Sequence, residues 1–241
     1  MKKRKINPIS LKRAKIQWAL LPIFLIAASL GWKYHWLGFV VPVAMIVGMV
    51  GGLLRGRYVC GNLCPRGAFL DRLLAKISPK REIPSFFRSS YLRAFMFAFL
   101  IGMLTFQISR DPGNIMHWGF SFWLICFVTS ILAIILGIFF HHRTWCAFCP
   151  IGSFGALFGG HKRALAIERE KCVNCLLCEK VCPMTLKIAS KNSNDLICNR
   201  DCIQCQECVG HCPKKILSLV KNPQGKESCA EESLPQAALQ R

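Results

Sequence analysis

Two cysteine runs of one design lie towards the end of the chain. Cys172, Cys175, Cys178 and Cys182 precede Pro183, and Cys202, Cys205, Cys208 and Cys212 precede Pro213. Each run reads C-x2-C-x2-C-x3-C-P, the bacterial pattern that holds cubane iron–sulfur clusters. Two residues between ligands let three thiolates curl around one face of a cube. The fourth cysteine, stopped by proline, points away and ligates the other cluster. The spacing therefore predicts one 4Fe–4S cluster on Cys172, Cys175, Cys178 and Cys212, and a second on Cys202, Cys205, Cys208 and Cys182. Zinc takes four tetrahedral ligands, usually as two separated pairs, and would leave the triple-plus-one spacing unexplained.

A second cysteine set is spaced differently. Cys60-Gly-Asn-Leu-Cys64-Pro65 and Cys146-Ala-Phe-Cys149-Pro150 each follow an arginine and a long apolar stretch, and each is followed by a glycine, Gly67 or Gly152. The halves read as an internal repeat: two apolar segments, arginine, cysteine pair, proline, glycine. If the halves pack together, four thiols converge. Three roles compete for them: ligands of a third iron–sulfur centre, redox-active dithiols with lowered thiol pKa, or shapers of tight turns. Of the other cysteines, Cys126 reads as a small hydrophobe in mid-span, Cys229 falls in a polar tail, and Cys198 reads as a spare thiol near the second run.

These motifs need something to position them. A two-cluster unit needs only about sixty residues, so the upstream chain must form a different part. The chain is 53 % hydrophobic, and most of its fifteen cysteines sit in metal-ligand spacings, as expected of a reducing compartment. A formal charge of +20 would suit nucleic acid, but no recognition motif accompanies it. The basic residues instead flank apolar stretches, as membrane topology requires. Four spans are expected at about Ile16–Gly31, Leu37–Leu54, Ala94–Ile108 and Trp118–Phe140. The first and third reach spanning length by recruiting Ala14, Tyr91 and Ser109, with Lys15 and Arg93 snorkelling to the interface.

Basic residues concentrate before the first span and between the second and third, whereas the loops after the first and third spans hold only Lys33 and Arg110. The positive-inside rule then puts both termini and the cluster unit in the cytoplasm, beside the inner membrane. The first apolar stretch lacks a small-residue cleavage site, so a removable signal peptide is not expected. Gly48 and Gly52 form a G-x-x-x-G that permits close helix approach. Ala68–Ile77 reads as an amphipathic helix along the membrane surface, with Phe69, Leu70, Leu73, Leu74 and Ile77 on its apolar face and Asp71, Arg72 and Lys76 on its polar face. His35, His117, His141 and His142 offer no pair at matching depth in two spans, so haem is not expected. The expected plan is a basic tail (1–15), a four-span α-helical membrane domain (16–160), a small α+β two-cluster domain (161–221) and a polar tail (222–241).

With these motifs in place, the chain resembles the NapH-like polyferredoxin membrane proteins, related to the C-terminal part of the NosR type and to the CcoG type. The resemblance covers about residues 10–220 and rests on CGNLCPRGAFLDRL, RTWCAFCPIG, REKCVNCLLCEKVCP and RDCIQCQECVGHCP, in that order. It implies quinol oxidation at the spans, electron transfer through the clusters, and a redox role for Cys60, Cys64, Cys146 and Cys149. The usual membrane-edge pattern is C-x3-C-P twice, whereas the second pair here has two intervening residues. The expected function is a membrane electron carrier between quinol or a cytoplasmic donor and a partner reductase, flavoprotein or FMN-binding protein. Its rivals are a thiol-based metal-centre maturation factor, for instance a copper reductant, and a cluster-based redox sensor. His141, His142 and Asp71 are the nearby candidates for a proton acceptor.

Overall fold

The apolar segments become long helices because, in hydrocarbon, only intra-segment hydrogen bonds satisfy the backbone. The computed structural model describes residues 8–79, 81–189 and 196–222. Helix α1 (Pro8–Leu30) leads through a 3-10 turn (His35–Phe39) into α2 (Val40–Arg55). Two short helices follow, α3 (Tyr58–Asn62) and α4 (Pro65–Arg72), then the long helices α5 (Ser90–Ser109) and α6 (Ile115–Phe139). A second short pair, α7 (Thr144–Phe148) and α8 (Pro150–Gly159), repeats α3 and α4. Four helical segments are long and apolar enough to cross a membrane: Pro8–Leu30, His35–Arg55, Ser90–Ser109 and Ile115–Phe139. All begin earlier than hydropathy alone places them, the first at Pro8 in place of Ile16, and α5 takes in Tyr91 and Ser109 as expected. Residues 8–15, read as tail, form the first turns of α1. Outward-facing Ile26, Phe95, Phe106 and Ile135 are exposed, as lipid-facing side chains must be.

The G-x-x-x-G of α2 serves a contact within the chain. Gly48 and Gly52 are buried against α8, and a Cβ at Gly52 would lie 3.1 Å from the Gly155 Cα. Two glycine-lined helices therefore meet backbone to backbone, which brings α8 and the cysteine before it against the end of α2.

The C-terminal unit is a three-stranded antiparallel sheet in the order β2-β1-β3, with β1 (Arg163–Ile167), β2 (Leu196–Ile197) and β3 (Leu217–Lys221). Leu165 stands opposite Ile197 on one side and Leu219 on the other. Two one-turn helices, α9 (Leu177–Lys180) and α10 (Glu207–His211), carry Cys178 and Cys208. Its core of Leu165, Ile167, Met184, Ile203 and Ile216 also takes in Ile83 and Ala147 from the membrane part, so the unit is docked and does not hang from a linker. Cys198 is not a spare thiol but is disulfide-bonded, buried beside Ala164, and Cys126 lies on α6. Cys229 lies outside the described residues.

The surface helix expected over Ala68–Ile77 is not formed as such. Helix α4 ends at Arg72 and is followed by a short 3-10 turn at Leu74–Lys76. Leu70 and Leu74 are buried, packed with Ala133, Trp145 and Phe148. Asp71 does not face solvent. It is drawn inward because buried arginines surround it.

Replacing Gly52 with leucine drives four extra carbons into the α2–α8 contact. Overpacking of this kind costs about 1–3 kcal/mol, and a lowered thermal midpoint of the detergent-solubilised protein, against an unchanged midpoint for Gly102→Leu in open space, is the expected result.

Candidate functional site

The two C-terminal runs fold into matching loops. In each, the residues on either side of the second cysteine take the left-handed conformation: Asn174 and Leu176 in the first run, Gln204 and Gln206 in the second. A third such residue follows each Cys-Pro, at Thr185 and Lys215. Left-handed backbone at non-glycine residues costs about 1–2 kcal/mol each, and such strain persists where surrounding structure demands it. Alternating left- and right-handed residues turn successive N–H groups to one side, forming the concave nests that hold anions and iron–sulfur centres. The Gln204 amide favours the thiolate of Cys202, the Glu207 amide that of Cys205, and the Leu186 and Met184 amides that of Cys182.

Two largely apolar cavities result. One is lined by Cys172, Cys175, Cys178 and Cys212, and the other by Cys182, Cys202, Cys205 and Cys208. The crossed grouping of the fourth cysteines is thus what the fold brings together. Donor set, nests and dry walls all suit a 4Fe–4S cluster, which supplies one-electron transfer when bound. The first cavity opens to the surface, where Cys175 and Val173 are exposed. The second is lined in part by Ile203 and Gln204, the loop that abuts Gly61 and donates to the Arg55 carbonyl of the membrane part.

The membrane-edge thiols lie on that inner side. Cys60 sits in α3 and Cys146 in α7, while Cys64 and Cys149 occupy the N-caps of α4 and α8, each with proline at the first helical position. The Gly67 N–H donates to the Cys64 sulfur at 3.4 Å, and the Gly152 and Ile151 amides favour the thiolate of Cys149. Each cysteine pair is held by the arginine of the other half. Arg143 donates to the carbonyls of Cys60 (3.1 Å) and Gly67 (3.3 Å), and Arg57 donates to the carbonyl of Cys146. The glycines of the repeat make room for this exchange. A Cβ would lie 3.1 Å from Arg143 Nη1 at Gly67 and 2.7 Å from Arg57 Nη2 at Gly152. Burial pushes the Cys60 thiol up to about 12, with Cys64, Cys149 and Cys146 adding to the rise against Arg57. A thiol raised in this way is a poor nucleophile for disulfide exchange.

The arginines are neutralised by two buried carboxylates. Asp71 accepts both Arg143 Nε and Nη2 at 2.7 Å, Gln17 Nε2 at 2.7 Å, and Arg13. Asp201, from the C-terminal unit, accepts Arg57 at 2.8 Å and Arg93 at 2.7 Å. Glu207 accepts Arg13 at 2.9 Å. Arg13, Arg57 and Arg93 count towards the positive-inside pattern in the sequence, yet here they form the joint between membrane helices and cluster unit, and Arg93 does not snorkel. Asp71 is likewise no proton acceptor. Burial alone would raise its pKa, but Arg143 and then Arg13 and His142 hold it well below the usual carboxylate range. His141 and His142 are buried beside it, His142 Nε2 lying 3.6 Å from Asp71 Oδ1. In the sequence Asp71 stands out only as a candidate proton acceptor and Asp201 not at all, because neither has its ion-pair partners nearby in the chain.

Known families and proteins fit this arrangement. The family described as a 4Fe-4S binding domain matches twice, over residues 37–84 and 118–168, one match for each half of the repeat. The family described as a 4Fe-4S dicluster domain matches residues 171–217. Two uncharacterised proteins of Methanocaldococcus jannaschii are 28 % identical over 181 and 191 residues, covering 73 % and 72 % of this chain and 69 % and 76 % of their own. The ferredoxin-type proteins NapH of Haemophilus influenzae and Escherichia coli are each 24 % identical over 192 residues, covering 72 % and 73 % of this chain and 65 % and 66 % of theirs. No solved structure matches the chain. Fold and site together define a membrane protein carrying ferredoxin-type 4Fe–4S clusters and serving iron–sulfur electron transfer. Within that class the chain is similar to the ferredoxin-type NapH proteins.

The depressed pKa of Asp71 has a pH consequence. Its ion pairs contribute stability at pH above the unfolded carboxyl value near 4, and that contribution is lost as pH falls through that value and below. Asp71→Asn is expected to lose about 3–5 kcal/mol near neutrality, the cost of breaking a buried pair, and to show a flatter acid limb. Thermal midpoints of both proteins from pH 7 to pH 3 measure it; parallel curves would contradict the pairing.

Proposed function

We propose that the chain carries electrons between a membrane donor, quinol, and a soluble redox partner such as a reductase, a flavoprotein or an FMN-binding protein. Cys202, Cys205, Cys208 and Cys182 hold an inner cluster against the membrane helices. Cys172, Cys175, Cys178 and Cys212 hold an outer cluster at the surface. The observation that carries this reading is the pair of thiol-lined cavities, one beside the Ile203–Gln204 loop that packs on the membrane part and one beside the exposed Cys175. The exposed side chains of Val173 and Leu176 beside Cys175 offer the partner an apolar landing face. Residues up to 160 serve as the membrane domain and 161–221 as the cluster domain. The basic flanks of the spans orient both termini and the cluster domain to the cytoplasm.

Each part of the chain has its task in this reading. The eight thiolates fix the clusters, the nests supply N–H donors that ease added negative charge, and the apolar walls exclude water. The Arg57–Asp201–Arg93 joint holds the inner site against the helices.

The test uses the full chain in proteoliposomes with a low-potential quinol. Wild type is expected to develop EPR signals from both reduced clusters on quinol addition. Cys205→Ser, which removes an inner ligand, is expected to slow quinol reduction of the outer cluster at least about tenfold, while dithionite still reduces it. Outer-cluster reduction at the wild-type rate in that variant would overturn the relay. Intact reduction combined with loss of copper handling in Cys60→Ser would favour the maturation reading.

A further inference from the structure

We propose that Cys60, Cys64, Cys146 and Cys149 together ligate a third iron–sulfur cluster, shared between the two halves of the repeat at the membrane edge. This deepens the electron-carrier reading and rests on it.

Each half that matches a 4Fe–4S binding family holds only two cysteines of this set, half of what a cubane needs. The fold supplies the other half by packing the repeats face to face. Arg143 bridges them directly: its Nη1 donates to the carbonyl of Cys60 at 3.1 Å and to the sulfur of Cys146 at 3.4 Å. The thiols of Cys64, Cys146 and Cys149 all lie within electrostatic reach of Cys60.

The surroundings suit an anionic cofactor. A cubane with four thiolates carries about two negative charges. Arg57 and Arg143 are fully buried beside the thiols, one from each half. Arg66 adds a third guanidinium, within electrostatic reach of Cys64 and Cys149. Its hydrogen bonds go to the carbonyl of Cys126 (2.9 Å), the sulfur of Cys126 (3.1 Å) and the hydroxyl of Thr129 (2.9 Å), none of them a carboxylate. The N-caps at Cys64 and Cys149 aim amides at the two second cysteines, as the nests do in the C-terminal unit.

Among the described residues no three His, Cys, Asp or Glu side chains approach closely enough to hold one metal ion, and the two C-terminal cysteine sets are no exception.

The position also completes a path. The turn from Cys60 to Cys64 lies directly against the inner cluster loop: a Cβ at Gly61 would sit 2.2 Å from the Ile203 carbonyl oxygen. Cys146 packs against the same core as Cys202 and Cys205. A cluster here would stand between the helices and the inner C-terminal site.

The experiment counts iron and acid-labile sulfide in the anaerobically purified full chain, with Mössbauer and EPR spectra. Three four-iron clusters give about 12 irons per chain and two give about 8. Wild type is expected near 12, and Cys60→Ser/Cys146→Ser near 8 with the reduced C-terminal cluster signals unchanged. Cys64→Ser/Cys149→Ser serves as the second variant, with the same expectation. A wild-type count near 8 with intact C-terminal signals, or a count near 12 retained in both variants, would overturn the third cluster and leave the two-cluster carrier standing. Absence of the C-terminal signals from wild type would overturn the carrier reading itself.

Discussion

The structure depends on a layer of buried arginines shared out between two carboxylates. Arg13 and Arg143 close on Asp71, and Arg57 and Arg93 close on Asp201. A lone buried charge costs several kcal/mol, and breaking such a pair leaves that cost uncompensated. The layer therefore forms as a unit. It draws α1, α4, α5, the α2–α3 junction and the C-terminal unit into one arrangement, with the Cys60–Cys64 and Cys146–Cys149 turns inside it. A flexible tether would leave the inner thiol set at a variable distance from the helices; this layer fixes it.

The repeat gives the layer its logic. Each half contributes R-x-x-C, a cysteine N-cap, a proline at the first helical position and a glycine two residues later. The arginine of one half lies across the cysteine turn of the other, in the space the glycine leaves open. Neither half is complete alone. The difference in spacing between the cysteine pairs is absorbed locally, because α3 is followed by Leu63 before its N-cap whereas α7 runs directly into Cys149.

How much of this could be read from the sequence follows the range of each interaction. The tandem runs are legible because their spacing is local, and the fold lines two cavities with the eight cysteines. The four spans are legible because hydrocarbon demands length and apolarity, and only their starts shift. The G-x-x-x-G is legible as a close contact, though its partner, α8, is not. Asp71 and Arg93 were misplaced for a different reason. A polar residue on an apparently amphipathic segment looks solvent-bound until a long-range partner is known, and their partners lie far along the chain at Arg143 and Asp201. Buried ion pairs leave no periodic trace.

The central claim is serial transfer from the membrane side to the soluble face. It is tested most directly by rapid-freeze EPR of the full chain in proteoliposomes after mixing with a low-potential quinol. The account predicts that the signal of the cluster on Cys202, Cys205, Cys208 and Cys182 rises before that of the cluster on Cys172, Cys175, Cys178 and Cys212. The outer signal rising first, or neither responding to quinol while both respond to a soluble donor, would contradict it.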